Sequence, residues 1–405
     1  MGLCVVLGAC AGDADDPNED VGLPTSENED RAFDGGEPTV DGGHAADAGA
    51  GERAWDDVDA FIEDQMTSAN IAGLAVAVTR PGEVVWTGAY GWANVEDNLA
   101  ASVNTPFMLA SVSKTVTGVA MMHVWEEGIL TLDAEINSLL PFTVDNPQVE
   151  DEIIQVRHLV GHTSGIRDNW GNMPYFDGDS PHALGDYLEG YLVEGGDWYH
   201  ADNNFSDHLP GVAFEYGNIA TALAGYVVEV ATETPFDEYC DTHIFDVLGM
   251  ENTGWHLADF DPSEVAMPYQ YTGGEYVTDG HYGYADYPDG QLRSSISDMA
   301  RFLAAVSNEG VLGDDRVLSS DTVSEMLSPP VPTVDAGQYV FWYSGTMAGR
   351  SVIGHNGSDQ GVATQMGFSP ETGIGVILLM NVSWNGVGDA ADAIIEILFE
   401  TAEGL

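Results

Sequence analysis

The chain has very few basic side chains. Its 405 residues include 67 aspartates and glutamates but only nine arginines and one lysine, and the formal net charge is −57. A surface of this sign repels nucleic acid and anionic lipid, which disfavours a nucleic-acid-binding function. The charge predicts an acidic protein of the halophilic kind, whose stability and activity rise when salt screens the self-repulsion. An acidic secreted protein that works in ordinary salt is the alternative.

Cysteine is scarce as well. The three cysteines are Cys4, Cys10 and Cys240, too few for a disulfide framework. We expect Cys240 to be a small buried apolar residue. Beyond the N-terminus no apolar run approaches the length of a membrane span. A hydrophobic content of 44% with 10% aromatic residues excludes a disordered acidic chain and predicts a globular fold.

The first residues resemble the end of a bacterial lipoprotein signal. Residues 1–10 are apolar and finish in Leu-Gly-Ala-Cys, which is similar to the lipobox whose cysteine, here Cys10, becomes the lipidated first residue. No basic segment precedes it, as in a truncated signal; a chance apolar start is the alternative. Residues 11–54 are rich in Asp, Glu, Gly and Ala and predict a disordered acidic linker. The protein is therefore expected outside the cytoplasm, in the periplasm or at the cell surface, anchored by lipid to a membrane.

Order is predicted from residue 55 to residue 405, as one two-lobed unit with strands at both ends and helices between them. The pattern favours an α/β fold in which an antiparallel sheet is built from both chain ends, flanked by helices, with a mainly helical region inserted. The predicted helices are 56–66, 111–125, 219–232, 235–248, 296–308 and 388–400. The predicted strands are 71–80, 83–90, 338–343, 351–355, 364–368 and 373–381.

The only lysine, Lys114, stands three residues after Ser111 at the start of an apolar helix. Residues i and i+3 share a helix face, so the hydroxyl and the amine are expected side by side. Lysine, unlike arginine, can become a neutral base when burial lowers its pKa. A helix N-terminus also disfavours the ammonium and favours an oxyanion. The pair predicts an activated serine nucleophile. Ser113 is the alternative nucleophile, but it faces away from Lys114.

Two further motifs accompany this pair: Tyr216-Gly217-Asn218 before an apolar helix, and the run Gly354 to Ser358, Gly-His-Asn-Gly-Ser, on a late strand. The motifs S-x-x-K, Y-x-N and H-x-G in this order resemble those of the penicillin-recognising serine hydrolases of the class C β-lactamase type. That group includes D-alanyl-D-alanine carboxypeptidases, D-aminopeptidases and β-lactamase-like esterases. The resemblance covers residues 55 to about 400 and implies the β-lactamase/transpeptidase-like fold. Similar segments also occur at 159–166, 248–250 and 289–302.

The resemblance assigns a role to each matching position. Ser111 would be acylated, and Lys114 and Tyr216 would share its activation, with either one as the base. Asn218 would hold Lys114 through its carbonyl and the substrate through its amide nitrogen. The backbone amides of Ser111 and Ser358, next to Gly357, would form the oxyanion hole. His355 stands where many β-lactamases have a lysine, which weakens carboxylate recognition and favours an esterase or a peptidase.

The predicted function is therefore a serine hydrolase that forms an acyl-enzyme with small esters, β-lactams or D-amino-acid peptides. No cofactor, metal or partner protein is implied. His158 and His162 are four residues apart, but the glutamate of a zinc-binding H-E-x-x-H is missing, so a structural loop role is favoured. The alternatives are a non-catalytic or single-turnover penicillin-binding sensor lipoprotein, and a purely structural surface protein that leaves the Ser111–Lys114 pair unexplained.

Overall fold

The computed structural model describes residues 41–44, 51–150 and 152–405. The α-helices of this part of the chain are α1 (Gly51–Ala69), α2 (Ser113–Glu126), α3 (Val156–Val160), α4 (Leu184–Leu192), α5 (Asn218–Thr232), α6 (Phe236–Cys240), α7 (Asp246–Leu248), α8 (Ile296–Ser307), α9 (Ser320–Met326) and α10 (Gly388–Gly404). The strands are β1 (Asp41–His44), β2 (Gly73–Arg80), β3 (Glu83–Asn94), β4 (Leu99–Ala100), β5 (Phe107–Met108), β6 (Tyr175–Asp177), β7 (Thr253–Gly254), β8 (Gln270–Thr272), β9 (Glu275–Val277), β10 (Tyr282–Tyr284), β11 (Arg293–Ser294), β12 (Val311–Leu312), β13 (Asp315–Arg316), β14 (Tyr343–Met347), β15 (Arg350–Asp359), β16 (Val362–Phe368) and β17 (Gly375–Met380).

One antiparallel sheet forms the centre of the molecule. Its strand order is β1-β3-β2-β17-β16-β15-β14, with β4 paired to β3. The first long strand of the chain, β2, pairs directly with the last one, β17, in a register that places Ala77 opposite Ile377. Both chain ends therefore build the same sheet, and this part of the fold prediction is confirmed.

Strand β17 is apolar throughout and β2 is apolar as far as Val78, because both faces of the sheet are covered. Leu74, Val76 and Val78 of β2 pack against helices α1 and α10. Their neighbours Ala75 and Ala77 face the other layer, which includes α8 and α2. A strand buried on both faces has a continuous apolar run, since neither face is exposed to water and polar residues do not alternate with apolar ones.

A mainly helical region is inserted between the two halves of the sheet, as predicted. Helix α2 is apolar on nearly all sides and is buried along most of its length, including Ser113, Lys114 and Met122. Helix α5 lies beside it in the same core. The short strands of this region form small hairpins and ladders, such as β6 with β10. Helices α6 and α7 flank a π-helical segment, so the chain is helical from Phe236 to Leu248.

The predicted strand at 338–343 is wrong, since the strand in this part of the chain is β14, which begins at Tyr343. Residues 339–342 form a turn in which the Tyr339 amide donates to Trp342 O (2.7 Å) and Phe341 has a φ of +56°. Val340, Phe341 and Trp342 are fully buried. Their apolar run results from the burial of a turn in the core. Such a run resembles the pattern of a buried strand.

Part of the predicted linker 11–54 lies within the described residues. Strand β1, which pairs with β3, and the first residues of α1 lie within the predicted linker 11–54. Cys10 and the predicted signal 1–10 lie outside the described residues, so the proposed lipidation and the linker boundary stay predictions. Cys240 is buried and unpaired, as expected. No helix within the described ranges is long and apolar enough to cross a bilayer.

Candidate active site

Ser111 lies at the entrance to helix α2. It occupies the middle of a 3₁₀ turn, Ala110–Val112, that runs directly into the helix, so the α-helix begins two residues later than predicted. Ala110 has a φ of +47°, which costs a non-glycine residue roughly 1–3 kcal/mol. The turn is anchored to the sheet, because the hydroxyl of Thr364 on β16 donates to Leu109 O (2.6 Å). This anchoring keeps Ser111 at the surface of a cleft that it helps to line.

Lys114 is completely buried beside Ser111. Its Nζ lies 3.1 Å from Ser111 Oγ, 2.6 Å from Asn218 Oδ1 and 2.7 Å from the main-chain oxygen of Asp289. Two of these oxygens can only accept a hydrogen bond, so they take two N–H groups of the amine in either charge state. The third position faces the serine, where the ammonium donates to Oγ and the free amine accepts the hydroxyl proton. The structure thus brings Ser111, Lys114 and Asn218 together.

Tyr216 completes this group from the residue pair that precedes α5. Lys114 Nζ lies 4.9 Å from the centre of the Tyr216 ring. About 38% of Tyr216 is exposed, so part of the residue faces solvent. Its ring packs against His162, with ring centres 4.5 Å apart. Tyr216 therefore contacts the buried amine while part of it stays accessible from outside.

The resting site holds two protons on the Lys114–Tyr216 pair. Burial lowers the pKa of the Lys114 amine, but Tyr216 and Asp289 raise it, and the net pKa lies above its ordinary value. Burial of the Tyr216 hydroxyl, on the part of the side chain that faces Lys114, raises the pKa of this tyrosine, although Lys114 acts in the opposite direction. Together, Tyr216, Asp289 and Asp168 outweigh the effect of burial on the pKa of the amine.

This protonation state predicts a steep pH dependence. General-base activation of Ser111 requires the pair to lose one proton, and both pKa values are raised. We expect kcat/KM for a neutral ester to increase by about tenfold per pH unit across the neutral range. Initial rates of p-nitrophenyl acetate hydrolysis between pH 6 and pH 9, corrected for the Ser111→Ala variant, measure it. A flat profile would mean that the base is already deprotonated at pH 6.

Asp168 is a site residue that the sequence did not reveal. Its carboxylate accepts hydrogen bonds from the amide of Asn218 (2.9 and 3.0 Å) and from the amide of Ile219 (3.1 Å). These are the first free amides of α5, where a negative charge is favoured by the helix dipole. The contact fixes the start of α5 and so the direction of the Asn218 side chain. Fifty residues separate the two partners, and no local pattern marks them.

Strand β15 forms the opposite wall of the site. Its pairing with β14 ends at Gly354, opposite Tyr343, so the following residues have a free edge. The Asn356 amide donates to the Tyr343 hydroxyl (3.1 Å) and thus points away from β16. In a strand the amides alternate in direction, which turns the Ser358 amide the same way. Ser358 and Ser111 line the same cleft.

Gly357 allows β15 to approach the nucleophile turn. A Cβ at this position would lie 2.4 Å from Leu109 O and 2.2 Å from Thr364 Oγ1. Neither distance is possible between non-bonded atoms, so any side chain would push the strand away from the turn. This close approach is the physical reason for a glycine beside Ser358.

His355 is buried and neutral. Only 4% of it is exposed, its Nδ1 hydrogen-bonds with Asn356 O (2.6 Å), and burial lowers its pKa to about 3. It packs against Tyr343 and lies 6.1 Å from the ring of Tyr216. His355 therefore supplies no positive charge to the cleft and acts on its shape. His162 also contacts Tyr216, a link that its sequence context did not indicate, and its Nδ1 accepts from the Gly217 amide (3.3 Å).

The remaining cleft wall is aromatic and acidic, and the sequence indicated little of it. Besides Ala110, Ser111, Asn218, Gly290 and Ser358, the lining residues are Trp170, Met173, Tyr175, Tyr284, Asp286, Asp289 and Asp359. Most of them lie in loops or on the short strands β6 and β10, whose positions depend on tertiary contacts. Asp289 was noted only as the first residue of a resembling segment.

Comparisons with known proteins identify the family and the fold of the chain. A family model described as Beta-lactamase matches residues 58–399. Protein flp of Staphylococcus aureus (strain MW2) is 23% identical over 328 residues, which are 80% of this chain and 63% of that protein. The chain thus spans less than two thirds of the length of that curated relative.

Two solved structures are similar in fold. The octameric penicillin-binding protein homologue from Pyrococcus abyssi superposes with a TM-score of 0.66 at 24% identity, covering 85% of this chain and 77% of that one. The D-amino acid amidase from Ochrobactrum anthropi SV3, complexed with L-phenylalanine amide, has a TM-score of 0.70 at 20% identity, covering 87% of this chain and 99% of that one.

Proposed function

Since this chain belongs to the beta-lactamase family, we propose that it is a serine hydrolase that acylates Ser111. The observation that carries the proposal is the position of Lys114, whose Nζ lies 3.1 Å from Ser111 Oγ and is held by Asn218. A buried amine in contact with a hydroxyl at the edge of a cleft is the arrangement that an activated serine requires.

The reaction proceeds in two steps. Ser111 Oγ attacks the substrate carbonyl while its proton passes to the Lys114–Tyr216 pair; the bond to the leaving group then breaks, and the pair protonates that group. In the second step water attacks the acyl-serine ester, the pair takes a proton from the water, and Ser111 Oγ recovers it as the carboxylic acid leaves. The amides of Ser111 and Ser358 stabilise the oxyanion in both steps, a contribution of about 3–4 kcal/mol per donor in other hydrolases.

The substrates are small esters, β-lactams or D-amino-acid peptides. A neutral His355 offers no fixed charge for the carboxylate that β-lactams carry, which favours an esterase or a peptidase over a dedicated β-lactamase. The similarity in fold to a D-amino acid amidase is compatible with this choice. The alternative is a penicillin-binding sensor that acylates once or not at all. Under either proposal the protein lies outside the cytoplasm and is anchored by a lipid at Cys10.

Labelling tests the proposal directly. Purified protein is incubated with a fluorescent penicillin and, separately, with nitrocefin and p-nitrophenyl esters, and adducts are followed by intact-protein mass spectrometry. We expect one acyl group per chain, located on Ser111 by peptide mapping, with turnover of at least one ester. A stable adduct without turnover would favour the sensor. Neither labelling nor turnover would contradict the enzyme assignment.

A further inference from the structure

Three carboxyl groups line the cleft beside the nucleophile. Asp286, Asp289 and Asp359 share the lining with Ser111. Asp286 is 2% exposed and Asp289 is 5% exposed. Among the described residues no cationic side chain forms an ion pair with the carboxyl group of either one, and the Asp286 carboxyl has a backbone hydrogen bond only within its own residue. Buried charges are normally paired, so two carboxyls without a cationic partner point to a ligand that supplies one.

Asp359 is fixed in the same wall. Its carboxylate accepts from the Tyr175 hydroxyl (3.0 Å) and from the Gln360 amide (2.7 Å). Burial raises the pKa of Asp286 to about 7 and that of Asp359 to about 6. Burial and the neighbouring Asp286 also raise the pKa of Asp289, so these carboxyls hold protons more tightly than free ones, and a bound cation would favour their charged forms.

The protein itself supplies little positive charge to this wall. No arginine lines the cleft, and the nitrogen of the only lysine is already held by Ser111, Asn218 and the main chain of Asp289. A metal ion is a poor fit, because no group of three or more His, Cys, Asp or Glu side chains in the described ranges has the geometry to hold one. A cation that pairs with these carboxyls would therefore arrive with the substrate.

Aromatic side chains cover the same space. Trp170 is 64% exposed and Tyr175 is 40% exposed, although both line the cleft with Tyr284. Large exposed aromatic faces beside carboxylates form a favourable surface for a substituted ammonium, since the ring faces attract a cation. The aromatic rim and the acidic wall are separate observations that indicate the same ligand chemistry.

We propose that the cleft binds substrates whose acyl group carries a positively charged amine, held by Asp286 and Asp289 with Asp359 and covered by Trp170 and Tyr175. The inference rests on the proposed hydrolase function and specifies its substrate class. Acyl groups that carry a carboxylate are repelled by the same wall, so anionic β-lactams react slowly.

A pair of isosteric esters tests this selectivity. The p-nitrophenyl esters of 4-(trimethylammonio)butanoate and 5,5-dimethylhexanoate have the same shape, and only the first is charged. We expect kcat/KM to favour the cationic ester by about tenfold or more, equivalent to about 1.4 kcal/mol, and the p-nitrophenyl monoester of glutarate to be the poorest substrate. In Asp286→Asn and in Asp359→Asn the cationic-to-neutral ratio should fall toward one. Asp314→Asn removes the same charge at an exposed remote position and should keep the wild-type ratio.

A binding measurement without turnover tests the cation site separately from the hydrolase function. Calorimetry on Ser111→Ala with the N-methyl amides of the same two acids should show binding of the cationic amide at least about tenfold tighter than the neutral one. No ester hydrolysis by the wild-type enzyme would contradict the proposed function and leave this binding result to decide the cation site. Equal binding of both amides, or an equal loss of selectivity in Asp314→Asn, would overturn the cation site while ester hydrolysis still stood.

Discussion

Replacement of Ser111 by alanine should lower kcat/KM for p-nitrophenyl esters by about 10⁴-fold or more and abolish the acyl adduct. The substitution removes the only nucleophilic atom within 3.1 Å of Lys114 Nζ among the described contacts and leaves the turn, Asn218 and the oxyanion amides in place. Ser111 is not a core residue, so the melting temperature should change little. Esterase kinetics, intact-protein mass and a thermal melt measure the three quantities.

Ser113 provides the matched control. It lies on the same turn of chain, but it is fully buried and its hydroxyl has no hydrogen-bond partner in the described structure. Ser113→Ala removes an unpaired buried hydroxyl, which is close to neutral for stability, and it should acylate at nearly the wild-type rate. Persistent labelling of Ser111→Ala, together with its loss in Ser113→Ala, would show that the nucleophile is misassigned.

The local parts of the site could be predicted from the sequence because short-range geometry determines them. Ser111 and Lys114 are three residues apart at a helix entrance, and that spacing alone places the two side chains together. Tyr216 and Asn218 could be paired with them only through the resemblance between motifs, since 104 residues separate Lys114 from Asn218. The central strands β2 and β17 were also evident, because burial on both faces leaves a continuous apolar run.

The rest of the site depends on contacts that leave no periodic signal. Asp168 caps α5 from a loop, and Asp286 and Asp359 reach the cleft from segments far apart in the chain. An aspartate in a strongly acidic sequence looks the same whether it is solvated or buried beside a nucleophile. The strand predicted at 338–343 was wrong for the opposite reason, since the buried apolar residues of the turn at 339–342 resemble a strand.

The surplus of acid also accounts for the charge state of the only lysine. Tyr216, Asp289 and Asp168 all raise the pKa of Lys114, and burial does not overcome them. A cationic substrate placed beside Asp286 and Asp289 would offset part of this negative field and so make the amine easier to deprotonate. Substrate binding and base activation would then be coupled through the same carboxyl groups, which increases selectivity for cationic acyl groups in kcat as well as in KM.

Replacement of Lys114 by arginine should lower kcat/KM by about 10³-fold or more, although the formal charge is unchanged. A guanidinium stays protonated at any working pH and cannot accept the Ser111 proton. It is also too large for a site in which Nζ is enclosed by oxygens at 2.6, 2.7 and 3.1 Å. Single-turnover acylation rates, with a thermal melt to confirm that the variant is folded, measure the effect.

Comparison with Tyr216→Phe identifies which member of the pair is the base. If Lys114 accepts the proton, Tyr216→Phe should reduce acylation much less than Lys114→Arg, and it should lower the pKa of the amine by removing a group that raises it. The steep rise of the wild-type rate with pH would then shift to lower pH in Tyr216→Phe. If the phenolate is the base, both single variants should be equally inactive and the double variant no worse than either one, because residues that act as a unit are not additive. Full acylation by Lys114→Arg would exclude the amine from proton transfer and leave Tyr216 as the base.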